Sequence, residues 1–138
     1  MNETNAPDTT NGWQTMLLPV HADEVAPDGS NVRKLVALDR ASMAHFRLPP
    51  GATSTAVAHH SIEELWYVVG GRGEMWLGTD DGDEIVTLEP GLSIAIPPKV
   101  GFQFRTVGVA PLEIVGVSNP PWPGDDEAYE VEGVWPAD

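Results

Sequence analysis

Apolar positions along the chain come in short runs that turn residues interrupt. The runs with β-forming character are Val32–Leu38, Ala41–Leu48, Thr55–His60, Glu63–Val69, Glu74–Leu77, Glu84–Leu88, Leu92–Ile96, Phe102–Val107 and Leu112–Ser118. Between them stand Pro49-Pro50-Gly51, Gly70-Gly71-Arg72-Gly73, Asp80-Asp81-Gly82-Asp83, Glu89-Pro90-Gly91 and Pro97-Pro98. Gly and Pro punctuate a chain because one tolerates positive φ and the other cannot donate to a ladder. Turn signals recur roughly every 10 residues after Gly71, and no run keeps a helical period, which predicts an all-β sandwich or barrel.

The ends differ from the middle. Residues 1–12 are small and polar and are expected to form a flexible tail. Trp13–Val20 carries the first apolar residues and is expected to lie as an edge strand on a barrel spanning 13–118. Residues 119–138 combine prolines and acids with Trp122, Tyr129, Val131, Val134 and Trp135. Proline forbids a central strand there, and the apolar residues argue against a free tail. This segment is expected to pack on the barrel or on a dimer partner.

Composition agrees with many short strands. The chain has 138 residues, one domain's worth, with 14 Gly and 13 Pro. Seven basic residues face 21 acidic ones, a net charge of −14, which argues against nucleic acid and anionic membrane surfaces as partners. The chain contains no cysteine, so disulfides, thiolate catalysis and Cys-based metal sites are excluded. The N-terminus shows neither a basic start nor an apolar stretch, so a soluble cytoplasmic protein is expected.

The chemistry concentrates in GATSTAVAHHSIEELWYVVGGRG, residues 51–73. Adjacent side chains of a strand face opposite sides, so His59 and His60 cannot both point into one barrel while the backbone stays extended. If His60 points inward, Glu64, Trp66 and Val68 on the next strand can join it, leaving His59 on the surface. A His and a carboxylate converging in an apolar barrel suit ligand binding or proton transfer, and Glu64 and His60 are the candidate catalytic pair.

This stretch resembles the first motif of the cupin superfamily, G-x5-H-x-H, three or four residues, then E-x6-G. Glu64 and Gly71 match, His60 suits the second His, Gly51 stands one residue early, and the first His falls on Ala58. The second motif, G-x5-P-x-G-x2-H-x3-N, is met by Gly91 and Pro97. Lys99, Phe102 and Thr106 replace its Gly, His and Asn. The words HHSIEELWYVVGGRGEMW and NPPWPGDDEAY are similar to a group of small, single-domain bacterial cupins. The resemblance implies a double-stranded β-helix, or jelly-roll barrel, and a homodimer.

It also implies a degenerate metal site. Cupin metals usually take three His and a Glu, and His60 with Glu64 would be the two that remain. Two protein ligands are fewer than the three a catalytic site presents, so a metal-free site is expected, although this pair with His45 as third ligand, or with His59 if the strand bulges, would be the place for a divalent ion. Phe102, standing where a metal-binding His would be, turns the cavity apolar. The expected pocket comprises His45, His60, Glu64, Trp66, Phe102 and Phe104. The expected function is binding of a small, mostly apolar molecule. The alternative is a small-metabolite enzyme using His60 and Glu64: an isomerase, cyclase or lyase, or a dioxygenase if metal-bound.

Overall fold

The computed structural model describes residues 6–137. It contains thirteen strands: β1 Asp8–Thr10, β2 Trp13–Thr15, β3 Glu24–Val25, β4 Asn31–Ala37, β5 Ser42–Leu48, β6 Val57–His59, β7 Glu63–Gly70, β8 Gly73–Thr79, β9 Gly82–Leu88, β10 Ser93–Ile96, β11 Gly101–Thr106, β12 Leu112–Asn119 and β13 Ala128–Glu130. The only helical element among the described residues is a single 3₁₀ turn, Asp125–Glu127. No described helix is long and apolar enough to cross a membrane.

Two antiparallel sheets make the jelly roll. One has six strands in the order β10-β7-β12-β5-β4-β3, and the other has five in the order β13-β6-β11-β8-β9. Long β7 shows how the sequence builds them. Glu64, Trp66 and Val68 are buried, while Glu63, Leu65, Tyr67 and Val69 are exposed, the period-2 pattern of a strand with one face on a core. That inner face meets Phe102 and Phe104 of the opposite sheet, both edge-on to Trp66 with ring centroids 5.4 Å apart. Leu48, Met75, Leu88, Ile96, Leu112 and Ile114 complete the core around them.

Gly71 turns the chain from β7 to β8 at φ +76°, and a Cβ there would sit 2.2 Å from the Pro111 carbonyl oxygen. Only glycine meets both demands.

The N-terminus departs from the sequence reading. Residues 1–5 of the expected tail lie outside the described residues. Asp8–Thr10, also expected to be loose, pairs instead with Trp13–Thr15 as a separate two-stranded hairpin. The expected edge strand Trp13–Val20 therefore shrinks to β2, which Gln14 ties to the sheet by accepting from the Ala37 amide. At the other end, β13 adds to the edge of β6.

Gln103 holds the last stretch down. Its Nε2 donates to the Ser54 and Trp135 carbonyls, and its Oε1 accepts from the Val134 and Trp135 amides. Arg105, ion-paired with Glu74 at 2.7 Å, stacks 4.2 Å from the Trp135 ring. Replacing Gln103 by Leu strands buried polar groups at a cost of about 2–4 kcal/mol. The Gln103→Leu variant should melt lower and lose its C-terminal segment to limited proteolysis faster than wild type. An unchanged melt and digestion pattern would show that the clamp carries no weight.

Candidate functional site

A cavity of about 290 Å³ opens between the two sheets. Phe46 and Ala44 of β5, Trp66 of β7 and Phe102 of β11 supply apolar wall. Segments beyond the barrel strands close it: Asp28 comes from the loop between β3 and β4, and Pro121 and Trp122 from the segment after β12.

Glu64 is the fixed polar point. It is 4% exposed. Its Oε1 accepts from Trp66 Nε1 at 2.7 Å and its Oε2 from Ser118 Oγ at 2.7 Å. The local structure dictates both contacts. Trp66 lies two residues along the same strand face, and Ser118 lies directly across the β7–β12 register. Burial pushes the Glu64 carboxyl up from its ordinary range, against the two hydrogen bonds that favour the ionised form.

Asp28 enters from above. It is buried, its Oδ1 accepts from the Ser30 amide and hydroxyl, and its carbonyl accepts from the Thr55 amide. Burial raises its pKa, the Ser30 bonds oppose that, Glu64 adds to the rise and His59 reduces it.

The histidines reverse the sequence expectation. His59, expected on the surface, is 5% exposed and lines the cavity, edge-on to Phe102 at 5.4 Å and Trp122 at 5.3 Å. His60, expected in the pocket as catalytic partner and metal ligand, is exposed and stacks on Tyr129 at 4.5 Å. The cause lies 66 residues along the chain. The Glu127 carboxylate accepts from the Ser61 amide and hydroxyl and the Ile62 amide, and its carbonyl accepts from the His60 amide. The chain therefore turns after His59, and inward parity belongs to Val57 and His59.

The motif then falls into register with its four-residue spacer. Gly51, His59, Glu64 and Gly71 all match, and Val57 replaces the first His. Lys99, at the second motif's Gly position, adopts φ +68° and donates its amide to the His59 carbonyl at 2.8 Å.

Desolvation holds the His59 pKa below its ordinary value, against the opposing charges of Glu127 and Asp28, and its Nδ1 is buried with no hydrogen-bond partner among the described residues. His45 is a second correction. It points away from the cavity, because the inward parity of β5 belongs to Ala44 and Phe46, and its Nε2 pairs with Glu113 Oε1 at 3.1 Å. Phe104 packs in the core beside Trp66 and does not line the cavity. Glu64, Trp66 and Phe102 do line it.

The donor set does not fit a metal ion. The four ligand positions of the motifs hold Val57, His59, Glu64 and Phe102, and both Glu64 oxygens already accept hydrogen bonds. Among the described residues no group of three His, Cys, Asp or Glu could hold an ion. Asp28 and Trp122 escaped sequence reasoning because loop residues carry no periodic signal. Asp28 stood in Pro27-Asp28-Gly29-Ser30, which reads only as a turn.

A raised carboxyl pKa means that the folded state binds more protons than the unfolded one between the two values, so stability falls as pH rises through that window. Glu64→Gln should therefore melt higher than wild type at pH 7, with the advantage shrinking toward pH 4. Equal melting curves at both pH values would contradict the burial of an ionisable group at this point.

The sequence profile of the Cupin domain family matches residues 44–118, more than half the chain. An uncharacterised protein of Methanocaldococcus jannaschii, MJ1618, is 29% identical over 80% of this chain and 92% of its own length. The xanthan biosynthesis protein XanB of Xanthomonas campestris is 30% identical over 70% of this chain, which spans about a fifth of XanB. Among solved structures, oxalate decarboxylase of Bacillus subtilis, which contains Mn(II) centres, superposes with a TM-score of 0.67 at 15% identity, over 80% of this chain and 30% of that one. At that identity the likeness concerns architecture alone. Profile, relatives and jelly-roll topology agree: the chain belongs to the Cupin domain family.

Proposed function

We propose that this cupin binds a small, mostly hydrophobic molecule in its barrel without a metal ion. The observation that carries this reading is the pair of side chains at two of the four motif ligand positions. Val57 and Phe102 offer packing surface where the motif has imidazole, so the barrel retains its cavity without retaining its coordination chemistry. At about 290 Å³ the cavity sits at the low end of ligand pockets, roughly 300–1,000 Å³, so the occupant is a small molecule. The homodimer implied by the family belongs to the same reading, supported by the apolar outward side chains of β7, Leu65, Tyr67 and Val69.

A second reading is favoured by one observation. Glu64 and Asp28, both shifted toward the protonated form, share the cavity with His59, shifted toward the neutral form. Carboxyl groups tuned in this way suit acid–base work on a small metabolite, with Glu64 as the proton-transferring group that Trp66 and Ser118 orient. The pairing with His60 is set aside, since that ring lies outside the cavity.

Two variants test the first reading. Ala44→Phe places a ring in the cavity and should abolish binding of 2-phenylethanol measured by calorimetry, while the fold, followed by circular dichroism, persists. The double variant Val57→His with Phe102→His should acquire about one Mn(II) or Zn(II) per chain, since three or four ligands then converge. Wild type incubated with the same metals and desalted should retain far less than one. A full equivalent in wild type, lost on His59→Ala, would overturn the proposal.

A further inference from the structure

We propose that the barrel cavity is an organic-ammonium site, whose ligand is a small primary or secondary amine bound as the protonated cation through a compact apolar or aromatic body. The inference rests on the reading of the barrel as a small-molecule pocket and adds the charge of its occupant.

The charge inventory of the cavity is one-sided. Two buried carboxyl groups, Glu64 and Asp28, enter it from different elements, β7 and the β3–β4 loop. Both already accept hydrogen bonds, but neither is ion-paired to a Lys or Arg among the described residues, and a buried charge is costly unless paired. His59, 5% exposed, contributes a ring whose Nδ1 has no partner among the described residues, and in the tautomer protonated at Nε2 that nitrogen accepts. The Ser118 hydroxyl already donates to Glu64, and the Ser42 hydroxyl accepts from the Trp122 amide.

The one basic side chain among the lining residues, Lys34, is held at 2.9 Å by Glu24. An anionic ligand would meet two carboxyl groups and no available cation. An ammonium group carries donors, positive charge and no acceptor, which complements the two carboxyl groups.

The walls suit the same ligand. Phe46, Trp66 and Phe102 form a continuous aromatic surface, with centroids 5.3 Å apart for Phe46–Trp66 and 5.4 Å for Trp66–Phe102. Trp122 extends it past His59. Aromatic rings attract a cation through their negative faces and simultaneously bury an apolar body. Aromatic walls with buried acids at one point distinguish an amine pocket from a merely greasy one. The chain's net charge of −14 also concentrates cations near its surface.

Binding should be linked to protons. The groups facing one another are Glu64, Asp28 and His59, with Glu127 beside His59 and the Lys34–Glu24 pair among the lining residues. A cation favours ionised carboxylates, which burial resists in the empty pocket. Amine affinity therefore rises with pH from the ordinary carboxylate range up to the raised values and levels off above them, with proton release on binding.

The test is titration calorimetry of the full chain with three probes of similar shape: phenethylammonium chloride, 2-phenylethanol and 3-phenylpropionate. The amine should bind roughly tenfold to a hundredfold more tightly than the alcohol, the worth of one hydrogen bond to a charged group. The carboxylate should bind more weakly than the alcohol. Glu64→Gln should remove most of the amine's advantage and leave the alcohol unchanged. Asp28→Asn serves the same purpose should Glu64→Gln fail to fold. Buffers of different ionisation enthalpy should reveal proton release for the amine only.

If the alcohol binds, is blocked by Ala44→Phe and equals the amine, the ammonium inference falls while the apolar pocket stands. If neither probe binds, both readings fall. Amine binding that survives Ala44→Phe or both acid substitutions would be attraction to the acidic surface and would overturn the proposal.

Discussion

A carboxyl group 4% exposed inside an apolar barrel is affordable only if the fold satisfies it, and the arrangement around Glu64 constrains much else. Its two partners come from the two directions a sheet provides. Trp66 lies along the strand and Ser118 across it, so the contacts persist only in one β7–β12 register. A slip by one residue would expose Glu64 and bury Glu63. The large indole that reaches back to Glu64 needs room, and Gly116 on β12 gives it. A Cβ there would lie 3.0 Å from the indole and 2.7 Å from the Phe46 ring. Trp66 in turn is the hub against which Phe46, Phe102 and Phe104 pack, so the polar anchor and the aromatic core are one construction.

The barrel was legible because its signals are local. Turn residues at short spacing and the alternation of Glu63–Val69 are properties of neighbours in the chain, and β7 follows them residue by residue. The site was legible only where it sits inside such a strand, as with Glu64 and Trp66. It failed at His59-His60, where parity depends on the residue at which the strand stops. Glu127 decides that stop from the far end of the sequence. The motif's spacer, three residues or four, left the same ambiguity. His45 failed for a related reason: a lone histidine in a strand has two faces to choose from, and its pairing with Glu113 comes from the adjacent strand β12. Asp28 and Trp122 belong to loops, where the placement of a side chain is set by tertiary contacts alone.

Losing two ligand positions also alters the electrostatics of the barrel. In a metal-binding cupin the cation balances the carboxylate. Here Val57 and Phe102 stand at two of the motif's ligand positions, and Asp28 brings a second acid into the cavity. Burial raises the pKa of both carboxyl groups, and for Asp28 the nearby Glu64 adds to the rise. They tie the ligand question to the stability question, because whatever neutralises the cavity also relieves the folded state.

The matched family region begins at residue 44 and ends at 118, yet Asp28, Pro121 and Trp122 stand outside it. The inherited barrel supplies a vessel, and the two flanking stretches finish its rim. Asp28, Pro121 and Trp122 themselves lie in loops, so substitution at those positions leaves the strand ladders untouched. Proteins aligned to this one through the shared strands can therefore agree on shape and differ at the rim of the cavity, and comparison of the flanks is what would tell them apart.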